Sequence, residues 1–319
     1  MLDTAFTRLL GCSVPIQQAG MGGIADAELA VAVSDAGALG MVNMVMVPPD
    51  DVAAGLDALA KRTDGVFGMN FLMPFLDVAA VEAASTRCRV VEFFYGDPDP
   101  DLVTRVHGGG ALAAWQVGTE EEARRAQQAG CDFLIAQGIE AGGHVRGRVG
   151  LLSLLPQVLD AVDVPVLAAG GMGSGRAVAA ALAAGASGVR VGTRFVAAAE
   201  SPAHPAYVEA LVRAGPGDTV VTTAFSVMWP DAPHRVLRSC VDALDAFQGE
   251  VVGEMVMGPA RMPIPKGAVP VPRSDTTGAI EAMPLYAGES VGAVTGRQPA
   301  REIVLELAEE AERLLRAWA

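Results

Sequence analysis

The chain has 319 residues, is 51% hydrophobic and 19% charged, and carries a formal charge of −14. That length supports one large α/β domain with a full core, and the acidic balance excludes a surface built to release counterions from nucleic acid or from an anionic membrane. No apolar run suits a membrane span, and the start, MLDTAFTRLLGCSVPI, lacks a basic region ahead of an apolar stretch. The four cysteines, Cys12, Cys88, Cys131 and Cys240, form no CxxC pair and no zinc-like spacing with histidine. A cytoplasmic protein with reduced thiols, no metal, no membrane segment and no nucleic-acid partner is the expectation; a homo-oligomer is compatible with it.

Short β-rich runs alternate with alanine-rich helical runs along the first two-thirds. The spacing predicts strands near 14–20, 39–45, 67–73, 90–96, 112–118, 132–138, 164–171 and 188–195, separated by amphipathic helices. Eight such units are what a closed (β/α)8 TIM barrel requires. The helices carry capping signals: Asp26 and Gly37, Thr119 and Gly130, Ser174 and Gly185 stand at successive starts and stops. After about residue 214 the rhythm breaks into a short apolar run, one helix and a stretch rich in proline and glycine. Such a stretch reads as a functional loop or lid. The expected organisation is a barrel over 1–213, completed by 285–319 with its closing amphipathic helix, and a smaller, mainly helical cap over 214–284.

In a barrel of this kind the loops after the carboxyl ends of the strands build the site, and a phosphate commonly sits after strands seven and eight. LAAGGMGSGRA follows strand seven: Gly170 and Gly171 permit close backbone approach, and Ser174 to Arg176 open a helix whose free N–H groups can hold an anion. RVGTRF lies on strand eight, where Gly192 and Thr193 offer an amide and a hydroxyl. IAQGIEAGGHVRG ends strand six. There Gln137 offers a donor and an acceptor to a flat polar ring, Gly142 and Gly143 let backbone approach a ligand, and His144 is an acid or base delivered to the mouth.

Taken together, QQAGMGGIADAELAVAVSDAGALGMV, GMNF, IAQGIEAGGHVRG, LAAGGMGSGRAVAAALAAGASGVRVGTRF and YAGESVG resemble the nitronate monooxygenase family, once called 2-nitropropane dioxygenases, over most of the barrel. The resemblance implies an FMN-containing barrel that oxidises alkyl nitronates with O2 to carbonyl compounds and nitrite, with His144 as base where the substrate arrives as the neutral nitroalkane. It assigns FMN contacts to Asn70, Gln137, Gly142, Gly171 and the run Arg190, Val191, Gly192 and Thr193. It places Met21 and Gly22 near the isoalloxazine and makes His144 the catalytic histidine. A flavin-dependent enoyl-acyl-carrier-protein reductase using NAD(P)H shares the barrel, the EAGGH loop and GTRF, and is the alternative. Gln137, in place of an acid before GIEAGGH, favours the monooxygenase. A catalytically silent flavin-binding protein is a third reading, against which the intact His144 argues. Outside this set, Trp229 and Tyr286 read as core or hinge residues, His204 and His234 as turn or helix-start residues, His107 as solvated, and Glu140 as a structural hydrogen-bond partner.

Overall fold

The computed structural model describes residues 2–258 and 260–318. All eight expected barrel strands form: β1 (Ile16–Gln18), β2 (Gly40–Asn43), β3 (Phe67–Leu72), β4 (Val90–Phe94), β5 (Leu112–Val117), β6 (Phe133–Gln137), β7 (Val166–Ala169) and β8 (Gly188–Val191). They pair in parallel in the order β1-β8-β7-β6-β5-β4-β3-β2. A bridge between Gln17 and Leu39 brings the two ends together, with Leu39 N–H donating to Ile16 O and Gln18 N–H to Leu39 O. The result is the (β/α)8 TIM barrel.

Because side chains alternate along a strand, each strand gives one set of residues to the interior and the other to the layer beneath the helices. Met41, Val90, Phe133, Ile135 and Leu167 fill the interior in one cluster, and the first helix, Ala5–Leu10, plugs its amino-terminal end by setting Phe6 edge-on to Phe133 at 5.5 Å. Toward the carboxyl ends the interior turns polar, with buried Gln17, Asn70, Glu92, Gln116, Gln137 and Arg190. The fold therefore carries its own polarity gradient, apolar at the plugged end and hydrogen-bonding at the open end.

The sequence capping signals hold. Asp26, Thr119 and Ser174 accept backbone N–H bonds at the starts of helices Ala27–Asp35, Glu120–Gln128 and Gly175–Ala183. The closing helix, Ala300–Arg316, takes its place in the outer ring, burying Ile303, Val304 and Leu307 and pairing Glu306 with Arg194 at 2.9 Å.

The segment 214–284 differs from the mainly helical expectation. Among the described residues it holds one α-helix, Arg238–Ala246, and two short 3-10 turns, Pro216–Asp218 and Ile280–Ala282, and is otherwise built on short antiparallel strands. Thr219–Thr222 pairs with His234–Leu237, which pairs in turn with Gly143–His144 from the loop after β6. Val251–Met257 is the central strand of a second small sheet, between Ala260–Pro265 and Thr277–Gly278. Pro263 and Pro265 fit because they stand on an edge strand, where a missing N–H breaks no interior ladder. Those prolines are what hide a strand from a reading of periodicity.

Candidate active site

A cavity of about 880 Å³ opens over the carboxyl ends of the barrel strands, at the upper end of the range for small-molecule sites. Met21, Gly22, Asn70, Gln137, Gly142, His144, Gly170, Gly171, Arg190, Gly192 and Thr193 all line it. Val191 does not. On β8, Arg190 faces the interior, so the neighbouring Val189 and Val191 point outward into the core beneath the helices.

At the β7–β8 side of the cavity the wall is backbone. Gly170 and Gly171 have φ of +107° and +73°, and a Cβ built on Gly171 would meet nothing within 4 Å. The chain needs glycine there for its left-handed conformation, and the space above it is open. Among the described residues, the N–H groups of Gly171 and Met172 donate to no backbone carbonyl. Thr193 Oγ1 accepts from Gly288 N–H at 3.0 Å and keeps its own proton to donate. The expected contribution from Ser174 to Arg176 is not found at the cavity wall: Ser174 is spent capping its helix, and Arg176 is exposed and faces Glu310 at 3.7 Å.

Gly142 has a different reason to be glycine. A Cβ there would stand 2.4 Å from the backbone nitrogen of Gly288 and 2.6 Å from the carbonyl carbon of Ala287. The residue lets two chain segments cross, while its backbone still borders the cavity.

The floor is a charged network that the sequence reading missed. Glu92, wholly buried in the middle of β4, pairs with Arg190 Nη1 and accepts from Asn70 Nδ2 at 2.7 Å and from Gln17 Nε2 at 2.6 Å. Asn70 Oδ1 accepts in turn from Asn43 Nδ2 at 2.9 Å. A buried carboxylate is tolerable only when paired and hydrogen-bonded in this way. The network fixes Asn70 and Arg190 from below. A lone glutamate inside the apolar run VVEFF was the available signal.

The opposite wall is aromatic. His144 lies against Trp229 with ring centroids 3.9 Å apart and planes 17° from parallel. Tyr286 and Tyr95 stand at 5.6 and 5.9 Å from the same imidazole. Trp229 and Tyr286 are thus cavity walls. Burial, with a smaller contribution from His234, pushes the pKa of His144 from 6.5 down to about 3, because a desolvated imidazolium loses the water that would stabilise its charge. The ring is neutral at physiological pH, and its Nε2 is buried without a partner. Gln137 Nε2 donates to His144 O at 3.0 Å, which orients the amide and leaves Gln137 Oε1 also buried and unpartnered.

His234 corrects the expectation of a turn residue. It is fully buried on a strand directly opposite His144, with ring centroids 5.1 Å apart. Its Nδ1 lies 2.9 Å from Ala232 O, and its Nε2 accepts from Phe225 N–H at 3.4 Å. Both nitrogens are thereby engaged in the neutral tautomer that carries its proton on Nδ1, and burial lowers its pKa. His204 instead caps helix Pro205–Arg213, His107 pairs with Asp132 on the surface at 2.9 Å, and Glu140 accepts from Leu151 N–H, as the sequence suggested.

The model of the family described as nitronate monooxygenase matches residues 3–89 and 76–310. The chain belongs to the nitronate monooxygenase family. It is therefore an oxidoreductase by membership, and its relatives within and around that family carry several names. A probable nitronate monooxygenase of Staphylococcus aureus is 25% identical, with 97% of each chain covered. The (3aS,4S,5R,7aS)-5-hydroxy-7a-methyl-1-oxo-octahydro-1H-indene-4-carboxyl-CoA dehydrogenase of Mycobacterium tuberculosis is 39% identical over 75% of this chain and 67% of its own. The same-named enzyme of Rhodococcus jostii is 35% identical over 75% and 66%. This chain thus spans about two-thirds of the length of those two. Among solved structures, FabK from Thermotoga maritima superposes with a TM-score of 0.82 at 30% identity, covering 100% of both chains. A nitroalkane oxidase from Streptomyces ansochromogenes gives 0.79 at 30%, covering 99% of this chain and 100% of its own. Among the described residues, no helix is long and apolar enough to cross a membrane.

Proposed function

We propose that this member of the nitronate monooxygenase family is an FMN-dependent enzyme that oxidises alkyl nitronates with O2 to carbonyl compounds and nitrite. The observation that carries the reading is that Gln137 Oε1 and His144 Nε2, together with Asp275 Oδ1, are buried, unpartnered atoms on residues lining one glycine-walled cavity. Each such atom costs about 1–3 kcal/mol unless a ligand completes it. The residues fit FMN. Gly170, Gly171, Met172, Gly192 and the Thr193 hydroxyl would hold the phosphate, and Gln137, Asn70 and Arg190 would meet the polar edge of the ring. Met21, Gly22 and Gly142 would border the isoalloxazine, and Val191 would contribute only through its backbone. Bound there, FMN supplies the electron acceptor and its reoxidation by oxygen.

The protein's own part is to orient and to exclude water. Trp229, Tyr286 and His144 form the dry wall against which the substrate carbon would lie, with segment 214–284 read as the cap over a barrel made of 1–213 and 285–319. His144 would serve as base when the substrate arrives as a neutral nitroalkane. A base whose pKa is held near 3 is poorly matched to that task at neutral pH, so the already ionised nitronate, which has no proton to lose, is the preferred substrate.

A second reading, a flavin enzyme acting on thioesters with NAD(P)H, such as an enoyl-acyl-carrier-protein reductase, draws support from the 39% identity to a carboxyl-CoA dehydrogenase. Anaerobic mixing separates the two. Rapid loss of flavin absorbance with ethyl nitronate and none with NADPH supports the first; the reverse pattern supports the second. Denaturation of the same preparation should release FMN, and release of FAD would overturn the cofactor assignment.

A further inference from the structure

The loops after β2 and β3 enclose a second hollow, of about 470 Å³, between Met44–Pro48 and Phe71–Asp77. It shares the stretch Met44 to Val47, Asn70, Leu72 and Phe75 with the main cavity as a common wall, so the two are continuous at the barrel mouth. Apart from Asn70 and Asp77 its lining side chains are hydrocarbon or thioether, and the rest of its polar surface is main chain. The two polar side chains that border it are already engaged. Asn70 donates to Glu92 and accepts from Asn43, while Asp77 accepts from Ala79 N–H at 2.8 Å to cap helix Val78–Ser85. In the loop itself, Val45 N–H donates to Asn43 Oδ1 and Val47 N–H to Met44 O. At its rim Met46 stands 62% exposed, an unbranched, polarizable side chain suited to lie along an alkyl chain.

We infer that this hollow receives the hydrocarbon chain of the substrate while the reacting carbon occupies the main cavity beside His144, which makes the enzyme selective for long-chain over short-chain substrates. The inference rests on the nitronate reading for the identity of the reacting group. It does not depend on that reading for the chain site. A methylene removed from water is worth ~0.8 kcal/mol, about fourfold in affinity, and the hollow is partly open, so about two- to fourfold per methylene is expected.

The test compares kcat/KM for ethyl, butyl, hexyl and octyl nitronate in the parent and in Leu76→Trp. Leu76 lines the hollow and not the main cavity, so the indole should fill the chain site and leave the reaction centre intact. In the parent, kcat/KM should climb about two- to fourfold per methylene. In the variant it should be flat beyond butyl, with ethyl nitronate unchanged. If Leu76→Trp does not fold, Leu76→Phe gives the same comparison with a smaller block. Calorimetric titration with butanol and octanol keeps the chain site separate from the chemistry. Tighter octanol binding in the parent that is lost in the variant supports the hollow even if no nitronate is oxidised, a result that would sink only the nitronate reading. Equal affinity for both alcohols, or chain-length dependence unchanged by the block, overturns the inference.

Discussion

Acid should destabilise this protein through His144 in a window set by burial. In the fold its pKa is about 3, against 6.5 for an ordinary histidine. Unfolding below pH 6.5 therefore takes up a proton that the folded state does not bind, and stability falls as pH falls. The contribution is fully present above pH 6.5, declines through the window, and levels off below about pH 3. Each pH unit within the window is worth ~1.4 kcal/mol for one proton, so between pH 7.5 and 4.5 the loss from this group is roughly 2–3 kcal/mol. Replacing His144 by Gln removes the titration and leaves the carboxylates and His234 in place. Equilibrium urea unfolding at the two pH values, in parent and variant, isolates the difference: the parent should lose roughly 2–3 kcal/mol more than His144→Gln. Equal losses would refute the claim that the imidazole is held neutral in a desolvated site.

Glu92→Gln leaves Arg190 buried without its counter-charge, a change expected to cost about 3–5 kcal/mol; a Tm within about 2 °C of the parent's would show that the network does not support the barrel floor. Gly171→Ala places a Cβ in open space on a backbone held at φ +73°. The strain is ~1–2 kcal/mol, and the methyl would intrude where the phosphate is expected, so the variant should fold yet lose flavin on gel filtration; full retention would contradict the assignment. Trp229→Leu removes an aromatic wall of the cavity against which the substrate would lie, a contact worth about 0.5–1.5 kcal/mol. Nitronate kcat/KM should fall about two- to tenfold, with Trp229→Phe recovering most of it, and an unchanged rate would mean that Trp229 does not contact the substrate.

The barrel was legible because its signals are local. Strand runs, the caps at Asp26, Thr119 and Ser174, and the glycines that close each helix lie within a few residues of the structure they specify. The residues that line the cavity were legible for a related reason, since a barrel sends every βα loop to one end. What escaped was long-range or masked. His234 meets His144 only through pairing of segments about 90 residues apart, and sequence neighbours rich in proline gave the opposite impression. The hairpin Val251–Pro265 was hidden by prolines that an edge strand tolerates. For Val191 the orientation was already legible: with Arg190 facing inward, alternation requires the Val191 side chain to face out, which leaves only its backbone for the proposed flavin contact. Gly142 shows the limit of reading glycine as a ligand contact, because here the close approach is to Ala287 and Gly288.

The most direct test of the central claim is anaerobic stopped-flow mixing of the flavin-loaded protein with ethyl nitronate, followed by admission of oxygen and assay of nitrite. The nitronate should bleach the flavin rapidly, oxygen should restore its colour and nitrite should be released, at rates little changed in His144→Gln. A flavin that is inert to nitronate and bleached by NADPH would contradict the claim.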